Sequence, residues 1–167
     1  MMRSILIAAA ALVLVGSWIF IGIDGPAVHS ASVYSMALKP TPINPDWVLE
    51  GNPQARSHEH SVSDDRAAYT AVWDATAGTF RWHFGWDETV YILEGDVHVT
   101  DDDGSTRTLR AGDIAYFRSG TWATWKIDRY LKKVAFVRRP LPERPAAFIY
   151  RVNDAVRRFR ADMLTLN

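Results

Sequence analysis

The stretch Gly78 to Gly95, GTFRWHFGWDETVYILEG, constrains the fold more than any other. Phe80, Trp82 and Phe84 alternate with Arg81 and His83, the period-two pattern of a strand with one aromatic and one ionisable face. Gly85-Trp86-Asp87 breaks the run as a turn, and the β-branched and aromatic run Val90 to Leu93 closes on Glu94-Gly95. A second glycine-framed stretch, Gly112 to Gly120, echoes the first. An ionisable face inside an otherwise apolar β-segment points to a pocket. Four of the seven tryptophans, Trp82, Trp86, Trp122 and Trp125, flank these two stretches and would wall such a pocket or fill a core.

The rest of the chain reads as further short strands. Ala67 to Asp74 is a strand followed by a turn over Ala75 to Gly78, and Val97 and Val99 face away from His98 over Asp96 to Thr100. Asp101-Asp102-Asp103-Gly104 is a hairpin turn, because Asp-Gly supplies the positive φ such loops need; the ligands of an EF-hand loop are missing. Ser105 to Leu109, Ile114 to Phe117, Trp122 to Ile127 and Val134 to Arg138 complete the set. Many short strands with turn signals every 8–12 residues indicate an all-β sandwich or barrel. His58-Glu59-His60 lacks the spacing that puts two histidines on one helix face, and in its polar surroundings reads as a solvated strand or loop.

Both ends differ from this pattern. Ile5 to Ile23 is an uncharged apolar run, roughly 28 Å long as a helix and enough to cross a hydrocarbon core. Arg3 precedes it and no Lys or Arg follows before Lys39, so the N-terminus is expected in the cytoplasm and the barrel outside it. A signal peptide cleaved before Ala31 is the competing reading, and a start at Met36 would give a cytoplasmic domain. Residues 24–45, with Pro40, Pro42 and Pro45 near the end, read as a linker, residues 46–140 as the barrel and residues 141–167 as a helical tail. In that tail Phe148, Val152, Ala155, Phe159 and Met163 recur at helical steps among arginines, giving an amphipathic helix that covers the barrel or lies on a membrane. Lys+Arg and Asp+Glu are both 19, so no charge excess suggests a nucleic-acid partner. The absence of cysteine excludes disulfides and Cys-ligated zinc.

The two glycine-framed stretches resemble the motifs of the cupin family. Glu88 and Gly95 fit the end of the first, G(x)5HxH(x)3–4E(x)6G, with Gly78 read as its leading glycine at a shorter spacing; Gly112 and Gly120 fit the second, G(x)5PxG(x)2H(x)3N. The phrases WHFGWDETVYILEG and GDIAYFRSGTWATW look closest to single-domain cupins of the ureidoglycine aminohydrolase and ethanolamine-utilisation type. The resemblance implies a jelly-roll β-barrel with a pocket at its mouth, and the homodimers common among cupins. With the longer spacer the HxH pair falls on Arg81 and His83, Arg118 stands at the proline position and Ala123 at the histidine position. Of the family's metal ligands only His83 and Glu88 then remain, a weak and incomplete set for Mn, Fe, Ni or Zn that Arg81 would oppose. Lys126, close in sequence to Ala123, would add a second cation. The expectation is therefore a pocket of Arg81, His83, Glu88, Trp86, Ala123 and Trp125 that holds a small carboxylate or ureide-like molecule, with no resident metal. His83 and Glu88 are the candidate catalytic residues. The alternatives are a metal-dependent enzyme acting on C–N bonds, and a dimerising module without catalysis.

Overall fold

The computed structural model describes residues 28–140 together with 151, 152 and 158. The expected membrane helix over 5–23 and the tail helix, but for those three positions, lie outside the described residues. No helix among the described residues is long and apolar enough to cross a membrane. The chain divides into two compact units, 1–30 and 31–167.

Over residues 31–140 the second unit is built almost wholly of β-strands. β1 (Lys39–Pro40) falls in the segment read as linker, and a short 3-10 helix (Pro45–Trp47) leads into β2 (Val48–Gly51). β3 (Ala55–Val62), β4 (Ala68–Phe84), β5 (Asp87–Asp101), β6 (Thr106–Arg110), β7 (Ile114–Phe117) and β8 (Thr121–Arg138) follow. The His58-Glu59-His60 segment is therefore a strand. The eight strands form one sheet in the order β1-β3-β4-β8-β5-β6, with β2 on β4 and β7 on β5, and every pairing is antiparallel.

Three strands are much longer than the sequence suggests. The expected turn over Ala75 to Gly78 is instead a bulge inside β4, and β5 and β8 likewise run through irregularities between Gly95 and His98. An extra residue bends a strand and strengthens its twist, so each long strand can serve both halves of the barrel without leaving the sheet. Glycine is required at two of these bends. A Cβ on Gly95, at φ +76°, would lie 1.9 Å from the Tyr130 carbonyl oxygen. A Cβ on Gly78 would lie 2.8 Å from the ring of Pro53. The framing glycines of the first motif thus mark places where a neighbouring backbone, at Gly95, or a proline ring, at Gly78, approaches too closely for a side chain.

Strand alternation then fills the interior. Trp73, Ala75, Phe80 and Phe84 come from β4, Val90, Ile92, Val97 and Val99 from β5, and Ala123, Trp125, Ile127 and Leu131 from β8. Phe84 stacks on Phe117 with ring centroids 4.4 Å apart, and Phe80 stacks on Trp125 at 6.4 Å. On the opposite face Asp74, buried at 1% exposure, ties three strands together. Arg56 of β3 donates to both its oxygens, Nε at 3.0 Å and a terminal nitrogen at 2.5 Å, and Tyr130 of β8 donates its hydroxyl at 2.9 Å.

Candidate functional site

The aromatic face of β4, not its ionisable face, looks into the barrel. Phe80, Trp82 and Phe84 project inward, and Arg81 and His83 between them project outward. There Arg81 is exposed and lies over the Trp122 ring at 4.6 Å, while the His83 ring packs on the same tryptophan at 4.8 Å. Trp47 closes against Trp122 at 5.3 Å. Arg81 and His83 therefore share an outer-face aromatic cluster and do not join Glu88. This corrects the expected pocket. It follows from the strict alternation of a strand whose largest apolar side chains must be inside.

Glu88 does face the interior, at 8% exposure. Its partner is a residue the sequence reading missed. Lys133 of β8, 5% exposed, donates its Nζ to Glu88 Oε1 at 2.5 Å. The same ammonium sits 4.7 Å from the Trp125 ring and 5.2 Å from the Trp73 ring. A buried ion pair capped by two indole faces is stabilised both by its own charges and by the negative faces of the rings. Burial first, and then the negative charge of Glu88, push the Tyr69 hydroxyl up from its ordinary value, so this phenol is protonated at neutral pH. Lys133 is hard to find because strands read as ending at Ile127 and resuming at Val134 leave it in neither, whereas β8 runs unbroken through it at the same odd parity as Trp125, Ile127 and Leu131. Lys126, by contrast, is exposed, 3.9 Å from Asp128, and takes no part in the interior.

Trp73, Phe80, Trp82, Trp125 and Lys133 line a cavity of about 10 Å³, roughly the space of one water molecule. The indole nitrogens of Trp73 and Trp125 are buried without a hydrogen-bond partner. A buried donor left unpaired costs about 1–3 kcal/mol, and both tryptophans that carry one line this cavity. The donors available are Lys133 and the two indoles; the acceptor is Glu88. Of the lining residues, Trp82 alone is only half-buried, which makes it the wall that must move for anything larger than water.

The remaining expected site residues fall around this centre. Trp125 lines the cavity, and Ala123 is buried opposite Trp82 in the β4–β8 register. Trp86 packs on Tyr69 at 5.8 Å and under Arg139 at 4.8 Å. The inward parity also fixes the spacer of the first motif. Counting three residues back from Glu88 places the HxH positions on Trp82 and Phe84, the side chains that actually face inward. With Ala123 at the third histidine position, the four ligand positions are Trp82, Phe84, Glu88 and Ala123. One carboxylate already held by an ammonium, among carbon side chains, is not a donor set for a divalent ion. The residues present do not fit the metal of the motif.

Comparison with known proteins agrees with this fold. Residues 62–135 match the model of the EutQ-like cupin domain. A solved protein of unknown function from Pseudomonas syringae pv. tomato, of the DUF861 family, is 25% identical over 62% of this chain, with a TM-score of 0.58. The matched part is 45% of that protein's own length. A Thermotoga maritima protein described as a predicted oxalate decarboxylase is 15% identical over 66% of this chain and 99% of its own, with a TM-score of 0.53. The Salmonella typhimurium protein described as a putative ethanolamine utilization protein Q is 19% identical over 51% of this chain and 69% of its own, with a TM-score of 0.46. No curated protein sequence matches this chain.

Proposed function

We propose that the barrel, whose residues 62–135 match the EutQ-like cupin domain, binds a small polar molecule through Lys133, Glu88 and the indoles of Trp73 and Trp125, without a metal. The observation that carries this reading is the pair of unpartnered indole donors in the wall of the cavity that Lys133 also lines. Lys133 takes the place of the ion: it puts one positive charge against the one retained carboxylate of the motif. The pair is neutral as a unit, so a neutral ligand with both an acceptor and donors suits it best. A ureide or amide group offers a carbonyl oxygen to Lys133 and the indoles, and N–H groups to Glu88. A small carboxylate would satisfy the three donors and would have to displace Glu88 from Lys133, because two anions would otherwise share one cation.

A metal-dependent enzyme acting on C–N bonds is the poorer reading, since the inward positions that would hold the ion carry Trp82, Phe84 and Ala123. The test is a thermal-shift screen of the full chain with urea, allantoin-like ureides, small amides and two- to four-carbon carboxylates. A binder at a hundred times its Kd should stabilise by about 2.7 kcal/mol. The gain should vanish in a Glu88→Leu/Lys133→Met double variant and persist in His83→Ala. A gain lost in His83→Ala and kept in the double variant would move the site to the outer face and overturn the proposal.

A further inference from the structure

A second group of titratable side chains lies on the outside of the barrel, away from the cavity. Asp96 and His98 are on β5 with Val97 buried between them, so both point outward. Asp128 belongs to the irregular part of β8. Gly95 pairs with Leu131 and His98 with Lys126, so the two β5 residues between them, Asp96 and Val97, face four of β8, Ile127 to Tyr130, and Asp128 in this excess lies beside Asp96 and His98. One ligand atom from each of Asp96, His98 and Asp128 lies within 4.8 Å of the others.

We propose that Asp96, His98 and Asp128 form a surface site for a divalent transition metal, of the zinc class. Three features carry this. The donor set is mixed, one imidazole and two carboxylates, which is a transition-metal set and not a calcium set. The imidazole is already aimed: His98 Nδ1 is 2.9 Å from the Thr108 hydroxyl, and Nε2 faces Asp128 Oδ2 at 3.3 Å. An imidazole whose far nitrogen is fixed by a hydrogen bond presents its near nitrogen in one orientation, as metal-bound histidines do. Third, the Asp96 carboxylate makes no hydrogen bond or ion pair among the described residues, although Arg110 stands opposite it in register. Two carboxylates thus converge with one left unanswered. Among the described residues the cations beside them are Lys126, exposed and 3.9 Å from Asp128 Oδ1, and Arg110, in register with Asp96 and making no ion pair with it. A metal bound here would fasten β5 to the bulged part of β8, and solvent would supply its remaining ligands.

The site is tested on the full chain, carrying no polyhistidine tag and stripped with EDTA, by calorimetric titration with Zn²⁺ and in parallel with Mg²⁺. The expected result is one Zn²⁺ per chain and no measurable Mg²⁺ binding, because Mg²⁺ prefers an all-oxygen set. His98→Gln and Asp128→Asn should each abolish the binding, with circular dichroism confirming that both variants are folded. Thr108→Val, which leaves the ligands in place and frees the ring, should weaken it by about 10-fold. Lys126→Met should tighten it by about fivefold, through removal of a competing charge roughly 4 Å away in water. Glu88→Leu/Lys133→Met should leave it unchanged, which separates this site from the interior. Absence of Zn²⁺ binding by the unmodified chain, or binding that survives both His98→Gln and Asp128→Asn, would overturn the proposal.

Discussion

Replacing Lys133 by methionine isolates the energetics of the barrel interior. Methionine keeps most of the volume against Trp73 and Trp125 and removes the ammonium. Glu88 then stays in the interior with its side chain 11% exposed and with no ion-pair partner. Removing one partner of such a pair costs about 3–5 kcal/mol, chiefly because the other charge is left buried and uncompensated. For a domain of this size that corresponds to a loss of roughly 10–20 °C in Tm. Removing both charges is a different experiment. The Glu88→Leu/Lys133→Met double variant should fall near wild type, or exceed it by up to about 4 kcal/mol, since a well-packed apolar pair escapes the desolvation cost. Thermal unfolding followed by far-UV circular dichroism measures all four members of the cycle without adding urea, itself a proposed ligand of the pair. A Lys133→Met cost under about 1 kcal/mol, or a double variant no more stable than the single, would refute the reasoning. Either result would mean that the pair is solvated.

Two further outcomes are expected. Gly95→Ala should destabilise the fold by at least about 3 kcal/mol in urea denaturation, because its Cβ would meet the Tyr130 carbonyl at 1.9 Å at a φ of +76°; a near-neutral change would show that the β5–β8 approach is looser than described. Burial first, and then its hydrogen bond to Asp74 and that carboxylate's charge, push the Tyr130 hydroxyl up to about 12. Its folded value exceeds the unfolded one of about 10, so the associated stability is fully present below that pH and is lost as pH rises through about 12. Tyr130→Phe should therefore fall less steeply than wild type across that window, while being about 1–2 kcal/mol less stable at neutral pH; parallel profiles would contradict the Asp74 contact.

Much of the fold was legible because the sequence states it locally. The alternation of Phe80, Trp82 and Phe84, the Asp103-Gly104 turn and the framing glycines each reflect a backbone requirement that neighbouring residues reveal. Gly78 and Gly95 sit where another strand's backbone or a proline ring passes within a side chain's reach. Which face of β4 turns inward was also written in the residues, since three large aromatic side chains cannot be left in water more cheaply than an arginine and a histidine. The ionisable face drew attention because ionisable groups do chemistry, and the longer motif spacer agreed with it; the packing decided otherwise. Lys133 was the harder residue to find. Strands read as ending at Ile127 and resuming at Val134 leave the irregular segment between them, and Lys133 with it, outside any strand, although Lys133 keeps the inward parity of Trp125 and Leu131. The Asp96–His98–Asp128 convergence depends on the same irregularity, joining residues thirty positions apart that no spacing rule connects.

The central claim is that the interior is a polar binding site built on Lys133 and two waiting indole donors. It is tested most directly by ¹⁵N spectra of the tryptophan indoles, with the Trp73 and Trp125 signals assigned through Trp73→Phe and Trp125→Phe. Titration with urea, the smallest ureide-type probe, and with acetate should shift both signals together and leave Trp122, on the outer face, unmoved. The shift should be lost in Glu88→Leu/Lys133→Met. Indole signals of Trp73 and Trp125 that stay fixed under saturating amounts of every amide, ureide and carboxylate probe would contradict the claim and leave the interior a packed core.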